Sequence, residues 1–179
     1  NLGLSYGMGK EKLIKELGLD ATEAEKLFKQ YHAKVPFIRA LQDQCARVAM
    51  ERGYIRTFAG RRCRFDRWEN RYENTLPLPL EEAKEKYGSD LKRSYTYKAL
   101  NRLIQGSAAD MTKLAMIGLW EEGIVPHLQV HDEVDVSVEN TEQAHTITDI
   151  MEHCVELTVP LLVDMELGPS WGETKEIQK

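Results

Sequence analysis

From residue 94 to residue 122 apolar side chains recur at helical spacing, and Gly123 and Pro126 then stop any continuation. Leu100, Leu103, Ile104, Ala108, Met111, Leu114, Ala115 and Ile117 form the stripe. A helix this long and this apolar on one side must be covered by other elements. The next residues alternate in strand fashion over 127–130 and again over 134–138, around His131, Asp132 and Glu133. A helix running straight into a hairpin, with no βαβα alternation elsewhere, predicts an α+β fold of helices packed on a small antiparallel sheet.

The rest of the chain supports that class. Residues 10–17 read as a short helix closed by Gly18. Asp20 or Thr22 begins the next, and Thr22 with Glu25 fits a capping box. Pro36 opens a third helix, where its missing N–H costs little, and Gly53 ends it. Residues 54–58 alternate as a strand, Ala59 and Gly60 turn, and residues 61–65 return. No period is visible over 66–80, which reads as a loop with Pro77 and Pro79, before a short charged helix at about 80–87. A helix at about 141–157 and a strand over 161–167 close the chain.

No run of about 18 apolar residues exists, which excludes a transmembrane helix. Cys45, Cys63 and Cys154 lie far apart and fit neither a zinc ribbon nor a disulfide framework. They read as the reduced thiols of a cytosolic protein. The net charge of −5 argues against nucleic acid, but its distribution does not. Seven arginines stand between Arg52 and Arg71 against only Asp66 and Glu69. Taken alone, such a run is more often a solvated face than a binding surface.

Three features carry chemistry. Gln129 to Val134 sets two adjacent carboxylates, Asp132 and Glu133, at a tight turn between apolar strands. Carboxylate oxygens suit Mg²⁺, although aspartate at a turn is commonly there for turn chemistry. On the long helix Lys98, Asn101, Arg102 and Gln105 follow one another at helical spacing, as a polar ridge or a solvent-facing stripe. Asparagine and glutamine both donate and accept, which suits probing a groove. The glycines of residues 1–9 have no strand before them and no Gly-Lys-Ser/Thr after them, which argues against a phosphate loop.

These residues also resemble a known family. The opening NLGLSYGMG resembles the end of motif B of family A (DNA polymerase I-like) DNA polymerases, whose pattern runs R…K…NFG..YG. GYIRTFAGRR, from Gly53 to Arg62, resembles that family's G[YF].T..GRR hairpin. Asn101 with Gln105-Gly106-Ser107-Ala108-Ala109-Asp110 resembles its palm helix, N…QG[ST]AAD. Gln129 to Val134 matches its motif C, and Pro160 to Trp171 matches its closing strand. Order and spacing agree across essentially all 179 residues.

The resemblance implies template-directed DNA synthesis, with primer–template DNA and dNTPs as substrates and two Mg²⁺ ions in the complete site. It implies a partial fingers region over 1–53, with the rest of the fingers and the palm over 54–179. Asp132 would be a metal-binding aspartate and Glu133 an auxiliary carboxylate. His131 would meet the primer terminus, and Asn101, Arg102 and Gln105 the duplex. Arg61, Arg62 and Arg64 would contact phosphates, and Leu2 and Tyr6 would flank the nascent pair. Leu2 stands where the family usually has Phe or Tyr, which implies discrimination against dideoxynucleotides and leans toward a phage or viral enzyme. Motif A, with the first catalytic aspartate, would lie in an upstream segment, so the chain alone is expected to be inactive. A noncatalytic DNA-binding or assembly piece of a split polymerase is the competing expectation.

Overall fold

The computed structural model describes residues 2–5 and 9–177. It divides into two compact units, Asn1–Gly106 and Ser107–Lys179. Its mixture of helices and two-stranded antiparallel sheets is the α+β class read from the sequence.

The first unit starts with the short α1 (Leu2–Ser5), α2 (Lys10–Leu17), α3 (Ala21–Lys34) and α4 (Pro36–Arg52). Gly18 ends α2 at φ +63°, a conformation that costs glycine nothing. Asp20, rather than Thr22, caps α3: its carboxylate accepts from Thr22 N at 2.7 Å and Glu23 N at 2.8 Å. Thr22 therefore lies inside the helix, so the expected capping box with Glu25 does not form, and Glu25 pairs with the Lys29 ammonium at 2.9 Å. Leu4, Leu13 and Ala24 form a small apolar cluster with Phe28 and Tyr31 against it.

After Gly53 come β1 (Tyr54–Arg56) and β2 (Arg62–Arg64), paired Tyr54 to Arg64, Ile55 to Cys63 and Arg56 to Arg62. Ile55 and Phe65 bury with Cys45, Ala49, Ala99 and Leu100 as the core of this unit. The stretch read as a loop contains β3 (Trp68–Asn70), which pairs with β4 (Leu91–Arg93) beyond α5 (Leu80–Tyr87). Trp68 also exchanges two backbone hydrogen bonds with Leu78, at 2.7 and 2.9 Å. The long helix begins later than its periodicity suggests. Tyr95 takes φ +62°, Thr96–Lys98 form a 3-10 turn, and only then does α6 (Ala99–Glu121) start.

The second unit takes the C-terminal part of α6, then β5 (Leu128–Val130), β6 (Glu133–Asp135) and α7 (Thr141–Glu152). Leu119 is fully buried, and Ile124 and Ile147 complete the cluster with Val134, Val136, Val138, Ile150 and Met151 packed on it. Of the apolar stripe read from sequence, Ile104 and Ile117 stay exposed, while Leu100 and Ala115 are buried; Leu119, which the stripe did not include, is buried as well. Asn140 caps α7 by accepting from Gln143 N at 2.9 Å. This helix stops at Glu152, five residues before its expected end. The closing strand is also shorter than expected: β7 (Glu166–Leu167) pairs with β8 (Lys175–Glu176), and residues 161–165 form no ladder. Among the described residues no helix is long and apolar enough to cross a membrane.

Candidate functional site

The β5–β6 register pairs Val130 with Glu133, leaving His131 and Asp132 as a two-residue turn. Glu133 therefore belongs to the strand and not to the turn. His131 stands at φ +55°, the positive angle that the first position of a primed hairpin turn demands and that glycine usually supplies. The Gln129 side-chain amide donates to the His131 carbonyl and braces the turn. His131, Asp132 and Glu133 are all exposed.

Strand alternation sets what surrounds them. Val134, Val136 and Val138 pack onto the Leu119–Ile124–Ile147 core, so Glu133 and Asp135 lie on the opposite face of β6. The Asp135 Oδ2 atom is buried without a hydrogen-bond partner. Asp132, Glu133 and Asp135 thus supply carboxylate oxygens within four residues. Even so, no group of three or more His, Cys, Asp or Glu side chains among the described residues is arranged to hold a metal ion. The tip offers ligands for a hard cation without a complete set.

In the first unit the predicted DNA-facing residues separate into two kinds. Arg61 extends Nη2 to the Gly106 carbonyl at 2.8 Å. Arg102 donates Nη1 to the Arg64 carbonyl at 3.3 Å and lies over the Phe65 ring at 4.7 Å. Both guanidiniums bolt the β1–β2 hairpin to α6. Gly106 permits this close approach, because a Cβ there would sit 3.0 Å from Thr57 Cγ2. Arg62 and Arg64 instead share one hairpin face with Tyr54 and Arg56, opposite the core-facing Ile55 and Cys63. Arg56 and Arg62 flank the Tyr54 ring at 5.7 and 5.0 Å. Sequence reasoning left Arg56 out of the site, although alternation read across the two strands in register places it there.

Asn101 is half-buried, and Gln105 and Lys98 are exposed on the first turns of α6 and just before it. Leu2 lies in α1 with its side chain outside the described part of the structure, and Tyr6 lies outside the described residues.

The model of the family described as DNA polymerase family A matches residues 1–173. A DNA-directed DNA polymerase of Pseudomonas phage M6 is 35% identical over 97% of this chain and 28% of its own length. A thermostable DNA polymerase I of Thermus aquaticus is 33% identical over 98% of this chain and 20% of its own. Among solved structures, the POL domain of Pol1 from M. smegmatis, in complex with DNA primer-template and dNTP, superposes with a TM-score of 0.67 at 28% identity. That match covers 89% of this chain and 27% of the other. The chain therefore spans less than a third of the length of each of these proteins.

Proposed function

The chain belongs to DNA polymerase family A, and we propose that it supplies part of the site for template-directed DNA synthesis, extending a primer 3′-hydroxyl with dNTPs. The observation that carries this reading is the exposed two-residue turn that presents Asp132 beside Glu133 from a hairpin whose partly buried valine face packs on the core. A carboxylate on such a short turn is held by the backbone, so it needs little ordering when a substrate arrives.

The donor set fits a hard divalent cation. Asp132 and Glu133 offer exposed carboxylate oxygens, and the Asp135 Oδ2 atom is an acceptor still lacking a donor. Asp132 is the residue that would hold Mg²⁺, with Glu133 tuning the site. Two such ions, when bound, supply electrostatic stabilisation of the attacking 3′-oxygen and the leaving pyrophosphate. The remaining ligands come from a polymerase segment carrying motif A, which is why this chain alone is expected to be inactive.

His131 faces the primer terminus, and in the first unit Asn101 and Gln105 follow the minor groove. The acceptors there are nearly the same for every base pair, which suits copying any sequence. Arg62 and Arg64, with Arg56, contact phosphates and add affinity without sequence choice. Leu2 and Tyr6 flank the nascent pair. Residues 1–53 act as part of the fingers, and residues 54–179 as the remaining fingers and the palm.

The test is Mg²⁺-dependent primer extension by the chain alone and mixed with the motif A segment. Extension is expected only in the mixture, and Asp132→Ala should lower it by about a thousandfold or more, since a bound metal contributes several kcal/mol. Extension by the chain alone would refute the shared site. Salt-sensitive DNA binding with no extension in any mixture would favour a noncatalytic DNA-binding or assembly piece.

A further inference from the structure

Between β4 and α6 the backbone does something costly. Tyr95 occupies the left-handed region at φ +62°, uncommon for any residue but glycine and a sign of strain for a bulky one. Its surroundings enforce the conformation. Just before it, Ser94 is almost fully buried, its N–H donates to the Arg67 carbonyl at 2.9 Å, and its hydroxyl donates to Glu69 at 2.9 Å. Just after it, Thr96 is buried and Lys98 N donates to the Tyr95 carbonyl at 2.9 Å.

The consequence is a rigid projection of aromatic surface. Tyr97 is 64% exposed and Tyr95 is 37% exposed. The Lys98 ammonium lies 4.8 Å from the Tyr95 ring centroid and 5.7 Å from that of Tyr97. Asn101 and Gln105 follow Tyr97 at steps of four residues, so the ring leads directly into the polar ridge of α6. Neither the core of this unit nor its hairpin uses Tyr97.

Exposed tyrosine rings beside a cation, held by a strained backbone, match the chemistry of unpaired bases: aromatic faces that stack next to phosphates that need positive charge. A paired duplex offers its phosphates but covers its base faces. We propose that Tyr97, with Tyr95 and Lys98, is a stacking step for unpaired template bases, adjoining the ridge that follows the paired region. This rests on the DNA-synthesis reading and adds to it a contact with the single-stranded part of the template.

The test uses the 179-residue chain and two DNAs at fixed low salt. One is a primer–template whose 5′ overhang carries a fluorescent adenine analogue at its first unpaired position, and the other is the same duplex with blunt ends. The chain should bind the overhang DNA more tightly and quench the analogue. Tyr97→Ala should lose about five- to a hundredfold in overhang affinity, together with the quenching, and leave blunt-duplex affinity unchanged. Tyr97→Phe, which keeps the ring, should behave as the unsubstituted chain. Overhang binding and quenching unaltered in Tyr97→Ala would overturn the stacking step, as would equal losses on both DNAs. No measurable affinity of the unsubstituted chain for either DNA would overturn the polymerase reading beneath it.

Discussion

At the scale of single residues, Arg93 shows how one side chain can set the position of others that carry function. Its Nε donates to the Met50 carbonyl at 3.1 Å and its Nη1 to the Phe65 carbonyl at 3.0 Å, while its guanidinium lies over the Trp68 ring at 4.3 Å. The end of α4, the end of the arginine hairpin and the start of β3 therefore meet on one planar group. Gly53 makes room for it: a Cβ there would stand 2.8 Å from Arg93 Cζ, and φ is +77°. Lysine keeps the charge but has neither the fork nor the flat face. Arg93→Lys should therefore lower stability by about 1–3 kcal/mol, the range for losing a charged donor to a part-buried carbonyl. Urea unfolding measures this, and an unchanged midpoint would show that charge alone suffices at the junction.

At the scale of elements, the β1–β2 hairpin divides its arginines by direction. Arg56, Arg62 and Arg64 lie on its outer face, whereas Arg61 is tied to the Gly106 carbonyl. Each of Arg56→Ala, Arg62→Ala and Arg64→Ala should reduce the slope of log affinity against log salt by about one, as expected for one lost phosphate contact. Arg61→Ala should instead weaken the hairpin's attachment and leave that slope close to its original value. Equal slope changes for all four would mean that register does not sort them. The same hairpin shows what was legible in the sequence. Its strands and turn were readable because Gly60 and the alternation are local, but which arginines point outward depends on cross-strand pairing. The helices Lys10–Leu17, Pro36–Arg52 and Leu80–Tyr87 were legible for the same reason: glycine or proline marks their ends. β3 was not, since its partner β4 lies beyond a helix and neither strand is long enough to show a period. Tyr95 was not legible either, because nothing in a Tyr-Thr-Tyr-Lys run signals a left-handed backbone. The carboxylate pair at the β5–β6 turn was visible as a pattern. The core-facing valines that aim it, and the buried Asp135 oxygen, needed the structure.

At the scale of the whole chain, one buried and one half-buried thiol link the two units to pH. Burial pushes the Cys45 thiol above its ordinary value of 9.0, in the core of the first unit. Burial also raises Cys154 in the second unit, against a smaller lowering by a backbone hydrogen bond. The neutral Cys154 thiol donates to the Met111 carbonyl at 3.6 Å, a bond the thiolate cannot make. For a group whose folded pKa is raised, the folded chain holds its proton longer than the unfolded chain does. The associated stability is complete below the unfolded value and disappears as pH rises through the folded one. Stability should therefore hold through neutral pH and fall above about pH 9, where the unfolded thiols ionise first. The decisive comparison is with Cys45→Ala, which removes one thiol and leaves every other ionisable group in place. The variant starts less stable, because a cavity replaces the sulfur, but its stability should decline less steeply between neutral and alkaline pH. Denaturant unfolding at a series of pH values measures both slopes. Parallel declines would show that the Cys45 proton is not linked to folding, and that the alkaline loss has another origin.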